Sequence, residues 1–381
     1  MCNHRNPCLV LLLVLGVLLW CWIPIAAETI STEFLSFQKA GSYGSSATFQ
    51  IALGDLDGDG DLDAVFSNMN TRSEVWINDG HARFSRSYAN IGGESHGVVI
   101  ADFDGDGDLD LVATRASESS PTQMYLNNGS GQFTPGEALD DQSIVANAIA
   151  AFDLEGDGDL DLGIYYFVGQ RHCRIYLNDG TGRFHATDVQ LPGLAAWGDI
   201  DGDGDVDAVC LQHGQTGGGY SVFTNLGEDG FEETQRIHAP SAFFPGSILL
   251  GDIDGDSDLD AVSGGAFESN TPVIVLRNDG VGVFELIDDS PFNAQSGRLA
   301  LADFDGDELP DVFVGCIDQP KRIGLSARDG RMLDSGIELG ASEMAGISAA
   351  GDLDGDGDTD LFIAVYGQGG ANPVWLNQRI P

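Results

Sequence analysis

Basic residues are scarce in this chain: 17 Lys and Arg face 60 Asp and Glu among 381 residues, a formal charge of −43. A surface so one-sided repels phosphate backbones and anionic lipid, so neither nucleic acid nor a membrane surface is an expected partner. Cysteine is scarce too, with six in all. Cys2, Cys8 and Cys21 fall near the start, leaving Cys173, Cys210 and Cys316 and room for at most one intramolecular disulfide. Those three sit on apolar runs and read as buried thiols acting as small hydrophobes. No serine or cysteine nucleophile motif stands out.

Long apolar runs are also missing, with one exception from Leu9 to Ile25. Arg5 precedes it and Ala26 and Ala27 follow, the pattern of a secretory signal over residues 1–27. Residues 28–381 are then expected in a secreted, periplasmic or cell-surface setting. An uncleaved membrane anchor is the alternative, since the run is just long enough to span. Removing the leader leaves 16 basic against 60 acidic residues.

What is abundant is aspartate beside glycine. A nine-residue acidic loop occurs seven times, beginning at Asp55, Asp102, Asp153, Asp199, Asp252, Asp303 and Asp352, at intervals of 46 to 53 residues. Self-similarity at a nearly fixed period means an array of small units that bury apolar surface against their neighbours. The first loop puts Asp55, Asp57, Asp59, Asp61 and Asp63 at positions 1, 3, 5, 7 and 9, with Gly58 and Gly60 between. The second has Asp102, Asp104, Asp106, Asp108 and Asp110 there, and the third Asp153, Glu155, Asp157, Asp159 and Asp161. The fourth has Asp199, Asp201, Asp203, Asp205 and Asp207, the fifth Asp252, Asp254, Asp256, Asp258 and Asp260. In the sixth these places are Asp303, Asp305, Asp307, Leu309 and Asp311, and in the seventh Asp352, Asp354, Asp356, Asp358 and Asp360.

Two like charges about 4 Å apart repel by roughly 4 kcal/mol at an effective dielectric of 20, so such loops call for a cation. No His or Cys lies in any copy, which argues against zinc, copper and iron. Many flexible carboxylates suit calcium better than magnesium. An EF-hand would place Glu at position 12, but Phe66, Ala113, Ile164, Cys210, Ser263, Val314 and Ile363 stand there. Short apolar runs flank each loop, giving strand, loop, strand.

On these residues the chain resembles the FG-GAP (VCBS) repeats, the units of the integrin α-subunit β-propeller and of many secreted bacterial propellers. The run Gly198, Asp199, Ile200, Asp201, Gly202, Asp203, Gly204, Asp205, Val206, Asp207 carries the family's motif. The resemblance implies calcium held by side chains at positions 1, 3, 5 and 9 and by the carbonyl at 7, up to seven ions in all. Leu309 can serve at position 7, and the acids at that position add mainly local charge. Three loops depart from the pattern: Glu155 stands at position 3, and Ser257 and Glu308 replace glycine at position 6. A side chain where φ > 0 is wanted is strained, so the fifth and sixth sites are expected to be the weakest.

Downstream of each loop comes a strand and a hairpin signal: Glu74 to Ile77, the turn Asn78, Asp79, Gly80, then the return Arg83, Phe84, Ser85. The turn recurs as Asn127, Asn128, Gly129, as Asn178, Asp179, Gly180 and as Asn278, Asp279, Gly280, where Asn and Gly tolerate the positive φ that tight hairpins demand. The fold class is therefore all-β, a seven-bladed β-propeller of four-stranded blades. The seventh repeat stops after its third strand, Val374 to Asn377, so Phe34 to Phe37 are expected to supply the fourth and close the ring.

Chain direction puts the acidic loops and hairpins on one face. The opposite face gathers His96, Arg115, Tyr165, Tyr166, Arg171, His172, His213 and Tyr220, with Phe243 and Phe244 on a nearby link. Of these, His96, Arg115, Tyr166, Arg171, His172 and His213 are the candidate ligand contacts. The expected function is a monomeric, calcium-binding adhesion module for an extracellular protein or glycan. A lectin is the first alternative. The second is a polysaccharide lyase in which Arg171 neutralises a uronate while Tyr166 or His172 moves a proton. No catalytic residue is assigned.

Overall fold

The computed structural model describes residues 35–379, apart from 90, 115, 117–120, 140–144, 168–170, 215–216, 240–244, 266–270, 288–292, 295, 317–318, 341–343 and 368. The expected leader, Phe34, Arg115, Phe243 and Phe244 lie outside the described residues.

Seven antiparallel four-stranded sheets form the blades of a propeller. Blade one consists of Thr48–Gly54, Asp63–Asn68, Glu74–Ile77 and Ser85–Arg86, so its return strand starts two residues later than the sequence suggests. The next five repeat this order, and the acidic loop always joins the first strand to the second. First strands of neighbouring blades touch all the way round, including Thr48–Gly54 with Ala349–Gly351, which closes the ring. Outside the blades, Thr271–Pro272 pairs with Asn293–Ala294.

Burial explains the strand sequences. Second strands such as Asp63–Asn68 and Asp311–Cys316 are buried at every residue, because another blade packs on each face. They read as continuous apolar runs. Fourth strands such as Phe231–His238 are mostly exposed and alternate. Apolar clusters lie between blades; Leu56, Val65, Ile91, Leu111 and Tyr125, for example, join blades one and two.

Ring closure differs from expectation in register. The closing strand is Phe37–Tyr43, paired antiparallel from Phe37 opposite Asn377 to Tyr43 opposite Asn372, so it begins where the predicted segment ends. The reason is packing of Tyr43, which lies beyond that segment. Its ring makes edge contacts with Trp76, Phe84 and Phe362, and its hydroxyl donates to the Ala82 carbonyl at 2.9 Å. Such aromatic pairs contribute about 0.5–1.5 kcal/mol each beyond area burial. A buried chain of hydrogen bonds, Asn372 Nδ2 to Thr48 Oγ1 to Asn68 Oδ1, both at 2.9 Å, ties blade seven to blade one.

Cys173, Cys210 and Cys316 are free and buried. Burial pushes the Cys316 thiol up to about 11, which leaves it a poor nucleophile.

Candidate functional site

Each acidic loop is folded by its own carboxylates. In the first, Asp55 Oδ1 accepts from Gly58 N at 2.8 Å and its Oδ2 from Gly60 N at 3.0 Å, and position 1 does the same in every copy. Position 9 opens the second strand and ties the loop to the hairpin of its own blade. Asp63 Oδ2 accepts from Leu56 N at 3.0 Å and Oδ1 from Asn78 N at 2.8 Å, again in all seven. The position 5 carboxylate accepts from the position 7 amide.

Position 3 differs between copies: Asp201 and Asp305 accept from the position 5 amides of Asp203 and Asp307 at 3.3 and 3.2 Å, but four other copies lack that bond. Oδ1 of Asp57, Asp104, Asp254 and Asp354 is buried and has no hydrogen-bond partner. A buried acceptor left so costs about 1–3 kcal/mol, more when charged. It lies beside carboxylates of positions 1 and 9, or 1 and 5 in the fourth loop, with one oxygen of each within 4.8 Å of the others; six such groups occur among the described residues. A cation among them answers the orphan oxygen and the mutual repulsion together. Burial, then neighbouring carboxylates, raises the pKa of Asp57 and Asp104. At position 9 burial is again the first cause, outweighing the amide hydrogen bonds: Asp110, Asp207 and Asp260 are pushed up to about 6, Asp63 and Asp360 to about 7, Asp311 to about 8.

The next blade reaches over six of the seven loops, all but the third. Asn127 Nδ2 donates to Leu56 O of the preceding blade at 2.8 Å as well as to Leu109 O of its own at 3.0 Å. Asn78, Asn178, Asn278 and Asn377 make the same reach, to Leu353, Phe103, Ile200 and Phe304. In these turns the positive φ falls on the glycines Gly80, Gly129, Gly180 and Gly280, and on no Asn among the described residues. At Gly80 a Cβ would also stand 2.5 Å from the Asp61 carboxylate, so position 7 points at the hairpin. The Asn is a clasp between blades. A recurring Asn at the end of an apolar strand, one residue ahead of the turn pair, was the available signal.

Two hairpins carry arginine where the others carry that glycine. The Arg328 guanidinium lies over Gly255 of the fifth loop and donates to Asp307 O at 3.3 Å. Arg379 lies over Gly306 of the sixth loop and pairs with Asp358 of the seventh at 3.2 Å. These same two loops hold Ser257 at φ 76° and Glu308 at φ 73°, the left-handed conformation anticipated for position 6.

On the opposite face the candidate residues do not form one surface. Tyr166 is buried, its hydroxyl 2.7 Å from that of Tyr176, and His172 stacks on its ring with centroids 5.4 Å apart. His96 is buried against Phe49, and burial lowers its pKa. Tyr165 and Tyr220 are core residues. The second strand runs on to Gly214 and so includes His213, whose side chain lies outside the description. Among the described candidates only Arg171 is exposed, its guanidinium 4.3 Å from the ring centre of the exposed Phe167. Tyr166 closes a second strand that is buried at every residue, because neighbouring blades cover both of its faces.

Solved propellers share this architecture. The BP39L lectin of Burkholderia pseudomallei superposes with TM-score 0.64 at 14% identity, over 89% of this chain and 99% of its own. BBS1N, solved in complex with ARL6DN, gives 0.57 at 11% identity, over 91% and 98%. At such identity the likeness concerns the fold. No curated protein sequence matches this chain. The profile of the FG-GAP-like repeat matches residues 55–113, 102–164, 199–263 and 303–363, each stretch beginning on an acidic loop and ending in the strand after the next. More than half of the chain is thus accounted for by one repeat, and the protein belongs to the FG-GAP-like repeat family.

Proposed function

We propose that this protein is a calcium-stabilised extracellular binding module whose ligand is a glycan. The observation that carries the calcium part is the buried, partnerless Oδ1 of Asp57, Asp104, Asp254 and Asp354 at position 3 of four loops, together with the converging carboxylates of six loops that the backbone has already fixed in place. Positions 1, 3, 5 and 9 and the carbonyl of position 7 would hold the ion. All donors are oxygens, as a hard cation with six to eight ligands requires. Bound calcium supplies the positive charge that lets five acids share one turn. The chain's own residues do the rest: amides orient the carboxylates, and the next hairpin shields the loop.

The glycan part rests on the solvent-exposed Arg171 and Phe167 and on the overall likeness to a propeller that is a lectin. Adhesion to a protein is the second reading, favoured by the likeness to a propeller solved with a protein partner. Tyr166, with its hydroxyl held by Tyr176 in the core, is poorly placed to move a proton, which weighs against the lyase reading. At tenfold excess over Kd each ion contributes about 1.4 kcal/mol, so seven independent sites would contribute on the order of 10 kcal/mol. Melting with calcium and with excess EDTA tests this: a large drop on chelation is expected, and an unchanged curve after verified metal removal would overturn it. A glycan array run on the calcium-loaded protein tests the ligand class.

A further inference from the structure

We propose that a cleft at the outer edge of blade one, where the chain crosses to blade two, binds a sugar residue bearing an anionic group; this rests on the glycan reading above. The cleft has a volume of about 590 Å³ and is lined by Arg72, Ser73, Arg86, Ser87, Tyr88 and Ile91, among others. That is room for one or two sugar rings, within the usual range of small-ligand sites. None of these residues belongs to the acidic loops or to the cluster around Arg171.

Three features give the cleft its chemistry. First, it holds two guanidiniums in a chain with 17 basic residues against 60 acidic ones. Second, Arg86 is aimed. Its Nη2 lies 2.9 Å from Oε1 of Glu74, a carboxylate only 7% exposed, which also accepts from Trp76 Nε1 at 3.1 Å. One carboxylate fixes one edge of a planar group with five donors, and the Arg86 side chain remains 60% exposed. Third, Tyr88 is fully exposed, the most open large hydrophobic residue among those described. Arg86 also has a structural role, since it neutralises the buried Glu74 carboxylate, whereas the fully exposed ring of Tyr88 contributes no burial and is not explained by folding.

The floor is rigid. Ile91 is buried in the apolar cluster joining blades one and two, and the Arg72 carbonyl accepts from Asn68 Nδ2 at 3.0 Å. A pyranose ring laid on Tyr88 would present its C–H face to the aromatic ring, while a carboxylate or sulfate on that sugar would meet Arg72 and Arg86. Neutral sugars lack the second contact. The strongly acidic surface repels anions in general, so an anionic sugar needs local guanidiniums such as those of this cleft.

The test is calorimetric titration of the calcium-loaded protein with a defined oligouronate, a sulfated oligosaccharide and a neutral oligosaccharide of equal length. Wild type is expected to bind at least one anionic oligosaccharide about tenfold or more tighter than the neutral one, and the two anionic arms tell carboxylate from sulfate. Arg86→Gln and Tyr88→Ala should each weaken that binding about tenfold, as expected for central contacts of these residue types. The melting temperature should be unchanged in Tyr88→Ala and lowered in Arg86→Gln, which strips the buried Glu74 of its counter-charge, so that variant is titrated well below its own melting temperature. Arg72→Gln in addition should abolish the preference for charge. If the triple variant keeps full affinity for the anionic ligand, the cleft is not the site, while the glycan reading stands. If wild type binds none of the three and nothing on a glycan array, both fall. Binding of the neutral sugar alone, unaffected by the three substitutions, also overturns the cleft and leaves the glycan reading intact.

Discussion

Loops one, two, four and seven differ from loops three, five and six in what the neighbouring blade places on them. Over the first group, the hairpin glycine carbonyls of Gly129, Gly180, Gly280 and Gly80 approach the position 4 glycines Gly58, Gly105, Gly202 and Gly355. Loops five and six receive Arg328 and Arg379 instead. At loop three nothing approaches Gly156, and Asn225 makes no bond to the preceding loop among the described residues, since its hairpin is a 3₁₀ turn, Gly227–Asp229. The three loops with altered covers are the three with altered sequences, Glu155, Ser257 and Glu308. Each site is therefore a joint property of two blades. The loop supplies ligands, and the next hairpin decides how much charge and how much water reach them.

The largest effect on this contrast is expected from deleting Phe37–Tyr43. That strand pairs with Asn372–Asn377, so its loss frees both Asn377, the clasp on loop six, and Arg379, its cover. Hydrogen exchange should show blades one, six and seven opening first, because ring closure and the loop-six cover fail together. Uniform protection in the deletion variant would show that closure lies elsewhere.

Asn127→Ala against Asn225→Ala compares the two groups directly. The first leaves Leu109 O without its donor and Leu56 O with the Gly131 amide alone, and should cost about 1–3 kcal/mol. The second removes no such bond across blades and should cost clearly less. Equal losses in denaturant titration would mean that the clasp is not what joins the blades.

Glu308→Gly and Ser257→Gly should each stabilise by about 1 kcal/mol, since each relieves a side chain held at positive φ. Gly60→Ser, which puts the strain into a loop without it, should destabilise by a similar amount. A calcium titration of Glu308→Gly separates backbone strain from the arginine cover: if Arg379 alone weakens the sixth site, affinity there will not move.

The last effect is in pH, measured on chelated protein. Asp63 is pushed up to about 7 and Asp311 to about 8 from 3.8, so folded protein binds these protons more tightly than unfolded protein does. The resulting destabilisation is fully present above the folded values and is removed as pH falls toward 3.8. Chelated protein should melt higher at pH 5 than at pH 8. Calcium-loaded protein should move the opposite way, because protons compete for the ligand oxygens. A chelated protein that melts lower at pH 5 would show that these carboxylates are not the groups that titrate.

Nearly the whole architecture was legible in the chain. Seven copies of a loop flanked by apolar runs determine seven blades, because a strand, tight turn, strand unit has few ways to bury itself except on a copy of itself. The missing fourth strand after Asn377 announced closure, although its register waited on where Tyr43 could pack. Oxygen-only ligands and positive φ at Ser257 and Glu308 were likewise local facts. The tertiary structure alone decided what comes from a distance. Asn127 reaches a carbonyl 71 residues away, Arg328 and Arg379 cover loops of the preceding blade, and Arg72 meets Arg86 and Tyr88 in one cleft. Tyr166 and His96, polar-tipped residues of the expected binding face, are buried, Tyr166 in a strand covered on both faces and His96 in the link before Val98–Ala101. Local sequence specifies backbone conformation and ligand chemistry, whereas exposure and the partner across a junction depend on how the blades are packed.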